Sequence, residues 1–147
     1  MYFVFAVTVP ALTTPSAPII QELPLLRGTI YRMEVEFPAG CAGLVSVSLW
    51  REGRQLWPSN SEAGLVSDGY VIGWDEDYDI SDRPLSVVIH ATNMDDSYPH
   101  TVQVRIGIDT RRPAAGAATT TQSAISRALA AITGAVRGTP GTKPTES

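Results

Sequence analysis

The sequence predicts an all-β fold: an antiparallel β-sandwich or jelly-roll-like domain with an extended N-terminal segment and a C-terminal Ala-rich helix plus flexible tail. Two observations predict the sandwich. Apolar and polar residues alternate with period two in several short runs, and turns rich in Gly, Pro and Asp separate these runs. Because strands with one apolar face must cover it, we expect two sheets to pack on each other.

Residues 1–27 are predicted to form an N-terminal strand followed by a Pro-rich extended arm. The run from Tyr2 to Val9 is apolar and rich in residues that favour strands. No Lys or Arg precedes this run and Pro10 ends it, which favours a strand over a secretory signal peptide. The prolines from Pro10 to Pro24 remove backbone donors, so we expect this segment to follow a sheet edge or surface, either of its own domain or of a neighbour.

Residues 28–110 are predicted to form the sandwich core. The alternation is clearest from Thr101 to Ile108, and it recurs from Thr29 to Phe37, where Tyr31 and every second residue after it are expected to face inward. The acidic run from Asp75 to Asp77 is interpreted as a turn. Together with the N-terminal run, about six to eight strands are predicted. The other core strands are predicted at Val45–Leu49, Gln55–Trp57, Tyr70–Trp74 and Leu85–Ala91.

Residues 111–147 are predicted to form a linker, a short helix and a flexible tail. Between Thr121 and Arg137, four aliphatic residues recur at helical spacing and define one narrow stripe: Ile125, Leu129, Ile132 and Val136. A helix of about 15 residues is marginal alone, so the stripe is predicted to bind a partner surface. That surface belongs to the chain's own sandwich, to another copy or to a different protein, and the sequence leaves these alternatives open.

The composition argues against nucleic acid and membranes as partners. The net charge is −4 and only 18% of the residues are charged, so phosphate backbones are not attracted. The small basic spots at Arg51/Arg54 and Arg111/Arg112 are interpreted as solvated turn and linker charges. No run reaches the roughly 18 apolar residues that cross a bilayer. The single cysteine, Cys41, is predicted to be a structural thiol.

Metal ligands are few, and the sequence predicts no cofactor. Asp75, Asp77 and Asp79 have the alternate spacing that calcium ligands use. However, Ile80 stands where an EF-hand loop has glycine, so a solvated acidic segment is the preferred interpretation.

The two histidines are interpreted as surface or hydrogen-bonded side chains. His90 lies on the polar face of a strand, and His100 stands at the start of another. A general base would require Asp95 or Asp96 to contact His100, but the sequence has no Gly-x-Ser-x-Gly turn with a nucleophile to activate. The chain is therefore predicted not to be an enzyme.

The aromatic residues support two interpretations. Trp57, Trp74 and Tyr78 would form a sugar-binding surface if they were exposed together. Trp57 and Trp74 adjoin strand ends, where large rings close a sandwich. Packing is therefore the preferred interpretation.

Several runs resemble small β-sandwich structural proteins of tailed-bacteriophage virions. The similarity spans Gly28 to Ile108. The residues that carry it are Phe37 to Val45, Gln55 to Pro58, Gly73 and Trp74, Asn93 to Asp95 and His100 to Val102. The resemblance implies a capsid decoration protein or a minor head or tail protein, which assembles in the host cytoplasm.

We therefore expect a non-enzymatic assembly protein of the virion that binds its neighbours through its terminal arms. The expected partners are other copies of the chain, in a homo-oligomer, and a capsid or other virion protein. The alternatives are a carbohydrate- or cell-surface-binding β-sandwich and a secreted or periplasmic β domain.

Overall fold

The computed structural model describes residues 1–111, and the regular elements of this part are eight strands. The all-β prediction is confirmed, because the strands form two antiparallel sheets. The predicted C-terminal helix lies outside the described residues. The strands are β1 (Tyr2–Val9), β2 (Ile19–Pro24), β3 (Gly28–Phe37), β4 (Val45–Arg51), β5 (Arg54–Trp57), β6 (Tyr70–Ile80), β7 (Ser86–Asn93) and β8 (His100–Asp109).

The strand order β1-β8-β3-β6 defines sheet A, and the order β2-β7-β4-β5 defines sheet B. The chain therefore folds as one long antiparallel hairpin that is rolled up, with β1 paired to β8, β2 to β7, β3 to β6 and β4 to β5. This is the strand arrangement of a jelly roll. Every connection between these strands except the β4–β5 hairpin crosses from one sheet to the other.

Alternate residues of both sheets fill the space between them. Full burial of one large aliphatic side chain is worth about 1.5–3 kcal/mol, so this alternation is the main source of stability. The fully buried side chains include Val102, Val104, Ile106 and Ile108 of β8, Met33 and Val35 of β3, Val45, Val47 and Leu49 of β4, and Val87 and Ile89 of β7.

The prediction that Tyr31 faces inward is wrong, because β3 contains a bulge at this residue. The pairing of β3 with β8 shifts between Ile30 and Arg32, which leaves Tyr31 as the extra residue. The Tyr31 ring lies over Gly107, where an added Cβ atom would be 2.7 Å from the ring. Gly107 therefore provides the space that the tyrosine occupies.

The N-terminal segment contains the predicted strand, and its Pro-rich part ends in a strand at a sheet edge of its own domain, which is one of the alternatives that the sequence left open. β1 pairs with β8 along its whole length and β2 pairs with β7, so residues 1–27 supply one edge strand to each sheet. The prolines are compatible with this pairing. The N–H of Leu25 donates to the carbonyl of Leu85, so even-numbered residues of β2 direct their N–H groups away from β7. Pro24 occupies such a position, and no ladder bond is lost.

The acidic run was predicted to be a turn, but it lies inside β6. The inward side of β6 runs in steps of two from Ile72 to Ile80, and it includes Glu76. The outward carboxylate of Asp75 accepts a hydrogen bond from Arg32 Nη1 at 3.0 Å. Arg32 of the neighbouring strand β3 thus pairs with one carboxylate of the run, and Glu76 accepts hydrogen bonds from the indoles of Trp57 and Trp74, so the run is compatible with a strand.

Charged side chains cover the outer face of sheet A. Arg32 binds Asp75 and Glu34, and Arg105 binds Glu34 and Glu36. The five side chains link β6, β3 and β8. Since all of them are partly exposed, each pair contributes only about 0.2–1 kcal/mol, and their main effect is to keep this face polar.

One buried polar residue, Asn93, joins the loops at one end of the sandwich. Its Nδ2 donates to the carbonyls of Val9 at 3.1 Å and Tyr98 at 2.9 Å. Its Oδ1 accepts from the N–H of Asp95 at 3.0 Å, which forms an Asx-type turn. Its backbone N–H donates to Thr13. The β1–β2 loop and the β7–β8 loop therefore both depend on one residue.

Replacing Asn93 with alanine should lower the free energy of unfolding by about 2–4 kcal/mol, because two carbonyls lose their donors. Urea unfolding followed by circular dichroism measures this change. Asn60→Ala in an exposed loop is the control, expected to stay within about 0.5 kcal/mol of the wild type. Equal stability of the two variants would show that the loops do not need the Asn93 side chain.

Candidate functional site

The sandwich has four edge strands, and three of them are protected against pairing with another chain. β5 is only four residues long. β2 carries Glu22, follows Pro18 and ends at Pro24. β6 carries four acidic residues: Asp75, Glu76, Asp77 and Asp79. Short length, proline and charge are means by which natural edge strands avoid pairing.

β1 has none of these protections. It is eight residues long and contains no charged residue and no proline. Met1 and Ile108 exchange both of their backbone hydrogen bonds, at 2.7 and 2.8 Å. Odd-numbered residues of β1 therefore bond to β8, and even-numbered residues direct their N–H and C=O groups outward. We call these outward backbone groups, from Tyr2 to Thr8, the β1 edge; within residues 1–111, β8 is the only strand paired with β1.

The side chains of β1 add apolar surface to this edge. Tyr2 and Val4, on the outer face of sheet A, are 48% and 58% exposed. Phe3 and Phe5 point toward the other sheet but are only half-buried, and their rings are parallel with centroids 6.3 Å apart. Both faces of the strand thus present apolar side chains beside backbone groups that no other described strand pairs with.

A groove of about 450 Å³ crosses the outer face of sheet B. Strands β4 and β7 form its floor, and the loops that contain Pro15 and Glu62 form its walls. We call it the sheet B groove. Its apolar lining residues are Pro15, Pro18, Leu44 and Met94, and its polar and aromatic ones include Ser46, Ser48, Trp50, His90 and Thr92.

The largest element of the groove floor is a stacked pair, Trp50 and His90. Their rings lie 4.6 Å apart at an interplanar angle of 14°, and Trp50 Nε1 donates to Ser48 Oγ at 2.8 Å. Burial lowers the pKa of His90, so the imidazole is neutral at pH 7. It has no hydrogen-bond partner among the described residues, and a neutral ring supplies one donor and one acceptor. The groove is therefore suited to an uncharged polar ligand.

The candidate aromatic surface forms a packed cluster between β5 and β6. Trp57 is only 7% exposed, and its ring lies 6.2 Å from Trp74 and 5.4 Å from Tyr78. Glu76 Oε2 accepts hydrogen bonds from both indole N–H groups, at 2.6 Å from Trp57 and 3.3 Å from Trp74. The cluster closes this side of the sandwich and leaves a hollow of about 250 Å³ beside the two indoles.

The three candidate calcium ligands do not converge. Asp75 pairs with Arg32, and Asp79 accepts a hydrogen bond from the Ser81 hydroxyl. In the part of the chain that the structure describes, no group of three or more His, Cys, Asp or Glu side chains could hold a metal ion.

The structure places Asp95 against His100, which is the contact that a general base requires. Asp95 Oδ2 lies 2.8 Å from His100 Nε2, and Oδ1 accepts from the N–H groups of Ser97 and Tyr98. The hydrogen bond with His100, followed by the two backbone bonds, holds the pKa of Asp95 below its usual value. Both side chains are nearly buried, at 10% and 12% exposed, and the sheet B groove is lined by His90 instead. The arrangement orders the loop between β7 and β8.

Sequence reasoning missed one buried charge, Arg51, which was interpreted as a solvated turn residue. It is 9% exposed, and its Nη2 donates to the carbonyls of Asp82 at 2.6 Å and Pro84 at 3.3 Å. Arg51 therefore holds the loop between β6 and β7. Its position at the end of an alternating strand gave no signal of these partners.

Cys41 is placed as a structural thiol. It is fully buried, its Sγ donates to the carbonyl of Ser67 at 3.1 Å, and burial raises its pKa. The predicted partner-binding stripe, formed by Ile125, Leu129, Ile132 and Val136, lies outside the described residues.

No family model and no curated protein matches this chain. Among solved structures, it is similar to PliG of Aeromonas hydrophila, a periplasmic lysozyme inhibitor of g-type lysozyme. The sequence identity is 12%, the match covers 74% of this chain and 85% of that chain, and the TM-score is 0.35. Within residues 1–111 there is no helix with the length and apolarity needed to span a membrane.

Asp95→Asn should make stability less dependent on pH in acid. The pKa of Asp95 in the folded chain lies below its unfolded value near 3.8, so its stabilising contribution is present above that value. The contribution is lost as the pH falls through the lower, folded pKa. Urea midpoints measured from neutral pH into acid test this, with Asp96→Asn as the control. The same acid dependence in Asp95→Asn as in the wild type would contradict the assignment.

Proposed function

We propose that this protein is a non-enzymatic structural protein that assembles with other copies of itself and with a capsid or other virion protein. The observation that carries the proposal is the β1 edge. An edge strand that is long, apolar and uncharged pairs with another chain unless something covers it. The other three edge strands of the sandwich are protected, so β1 is the edge strand that is suited to pairing with another chain.

The virion part of the proposal is supported by the sequence resemblance between Gly28 and Ile108. The jelly-roll strand order adds support by analogy, since viral capsid domains and lectins both use this arrangement. The proposed role is that of a capsid decoration protein or a minor head or tail protein, assembled in the host cytoplasm.

Purified particles test the virion role directly. Particles from cells that carry the gene are separated on a density gradient and their proteins are identified by mass spectrometry. The chain should be found in the same fractions as the capsid protein, in a constant ratio to it. Its absence from these fractions would contradict the virion role.

The C-terminal segment is proposed as a second contact with the partner. Leu129→Asp should weaken assembly at least about tenfold, because a carboxylate on the apolar stripe would have to lose its water on binding. Ala130→Asp adds the same charge off the stripe and should have little effect. Sedimentation velocity of the full chains over a concentration series measures both, and equal weakening by the two variants would refute a helical stripe.

A carbohydrate-binding role is the second candidate function, and the sheet B groove favours it. The groove combines the hydroxyl groups of Ser46 and Thr92 with a neutral imidazole and the Trp50 ring. Uncharged sugars are bound by such combinations of hydrogen-bonding groups and aromatic rings.

Trp50→Ala tests this candidate. On a glycan array, the wild-type chain should bind a defined subset of glycans, and Trp50→Ala should lose that binding while its unfolding curve stays cooperative. Tyr98→Ala removes an exposed ring outside the groove and should bind as the wild type does. Full binding by Trp50→Ala, or no binding by the wild type, would remove this candidate.

A further inference from the structure

We propose that β1 of one copy pairs antiparallel with β1 of a second copy, around a two-fold axis at Phe5, so that their A sheets become one continuous sheet. This inference rests on the proposed function, because it names the contact through which copies assemble. The partner at the β1 edge is then a second copy of this chain.

The backbone restricts the register of this pairing. The N–H and C=O groups that point away from β8 belong to even-numbered residues, so an even-numbered residue must lie opposite an even-numbered one. With the axis at Phe5, Tyr2 lies opposite Thr8 of the second copy, and Val4 lies opposite Ala6. Every outward backbone group from Tyr2 to Thr8 is then bonded. An axis at Val4 would leave Thr8 without an opposite residue.

The side chains fit the same register. On the outer face, a large residue lies opposite a smaller one, because Tyr2 meets Thr8 and Val4 meets Ala6. On the other face, Phe5 of both copies meet at the axis as a pair without backbone bonds, where Cα atoms are about 4.5 Å apart. The half-buried rings of Phe3 and Phe5 pack against the same residues of the second copy, which buries them further than the single sandwich does.

Charge explains why a second copy is suited to this edge. β1 contains no Asp, Glu, Lys, Arg or His, so identical strands meet without like-charge repulsion between their side chains. The joined sheet ends in β6 on both sides, where the carboxylates of Asp75 and Asp77 face outward. Two such edges repel each other, so the assembly closes at two copies through this contact.

Ala6→Pro in the full chain tests the contact. Proline at position 6 removes an N–H that points to the second copy and no bond to β8, so the fold is retained. Size-exclusion chromatography with light scattering should show a dimer for the wild type and a dissociation constant at least about tenfold higher for Ala6→Pro. Glu22→Pro is the matched control, since residue 22 of β2 also directs its N–H away from its sheet. It should remain dimeric.

Cysteine cross-linking tests the register. A mixture of Val4→Cys and Ala6→Cys chains should form disulfide-linked dimers under mild oxidation, because opposite bonded residues have Cα atoms about 5.5 Å apart, within the range of a disulfide. Neither variant should cross-link alone, and the buried Cys41 does not compete. Cross-linking of Val4→Cys by itself would place the axis at Val4 and overturn this register.

The outcomes separate this inference from the proposed function. A dimer that persists in Ala6→Pro would overturn the β1 contact and leave assembly through another surface standing. If the wild-type chain stays monomeric but is found in particles, the proposal that a second copy binds β1 is overturned and the virion role is retained. A dimer that is absent from particles would support the contact and count against the virion role alone.

Discussion

In a β-sandwich, the outward backbone groups of each edge strand have no partner in their own sheet. The topology of this chain determines which strands lie at the edges. The rolled hairpin places β1 and β6 at the edges of sheet A and β2 and β5 at the edges of sheet B. Length, proline and carboxylates protect three of them. The same constraint that shapes the fold therefore singles out one strand for contact with another molecule.

The elements that could be predicted from the sequence are those whose signal is local. Between Thr101 and Ile106 of β8 and in the second half of β3, each inward residue is apolar and each outward one polar, so the pattern alone gives both the strand and its buried face. Tyr31 broke the pattern because the bulge depends on Gly107, a residue far along the chain. β6 was cut short because Glu76 faces inward, and only the indoles of Trp57 and Trp74 make that position suitable for a carboxylate.

The candidate sites were harder to predict for a related reason. Small polar residues on the outward side of β4 and β7 are what any sandwich shows to water, and they become a groove only because two loops rise on either side of them. The contact between Asp95 and His100 was foreseen as a condition for catalysis. Its surroundings assign it to loop structure, since backbone N–H groups occupy the other carboxylate oxygen. A residue type with catalytic potential thus gains its role from neighbours that the sequence does not place.

The backbone bonds between Met1 and Ile108 also have a mechanical consequence. These two residues lie side by side at one end of sheet A, so tension applied between them would peel β1 from β8 one pair of bonds at a time. Force transmitted along the strands by a neighbour bonded over the length of β1 would instead load all the hydrogen bonds between the two strands together, as in shear. The strand would then resist force far better inside an assembly than as the edge of an isolated domain.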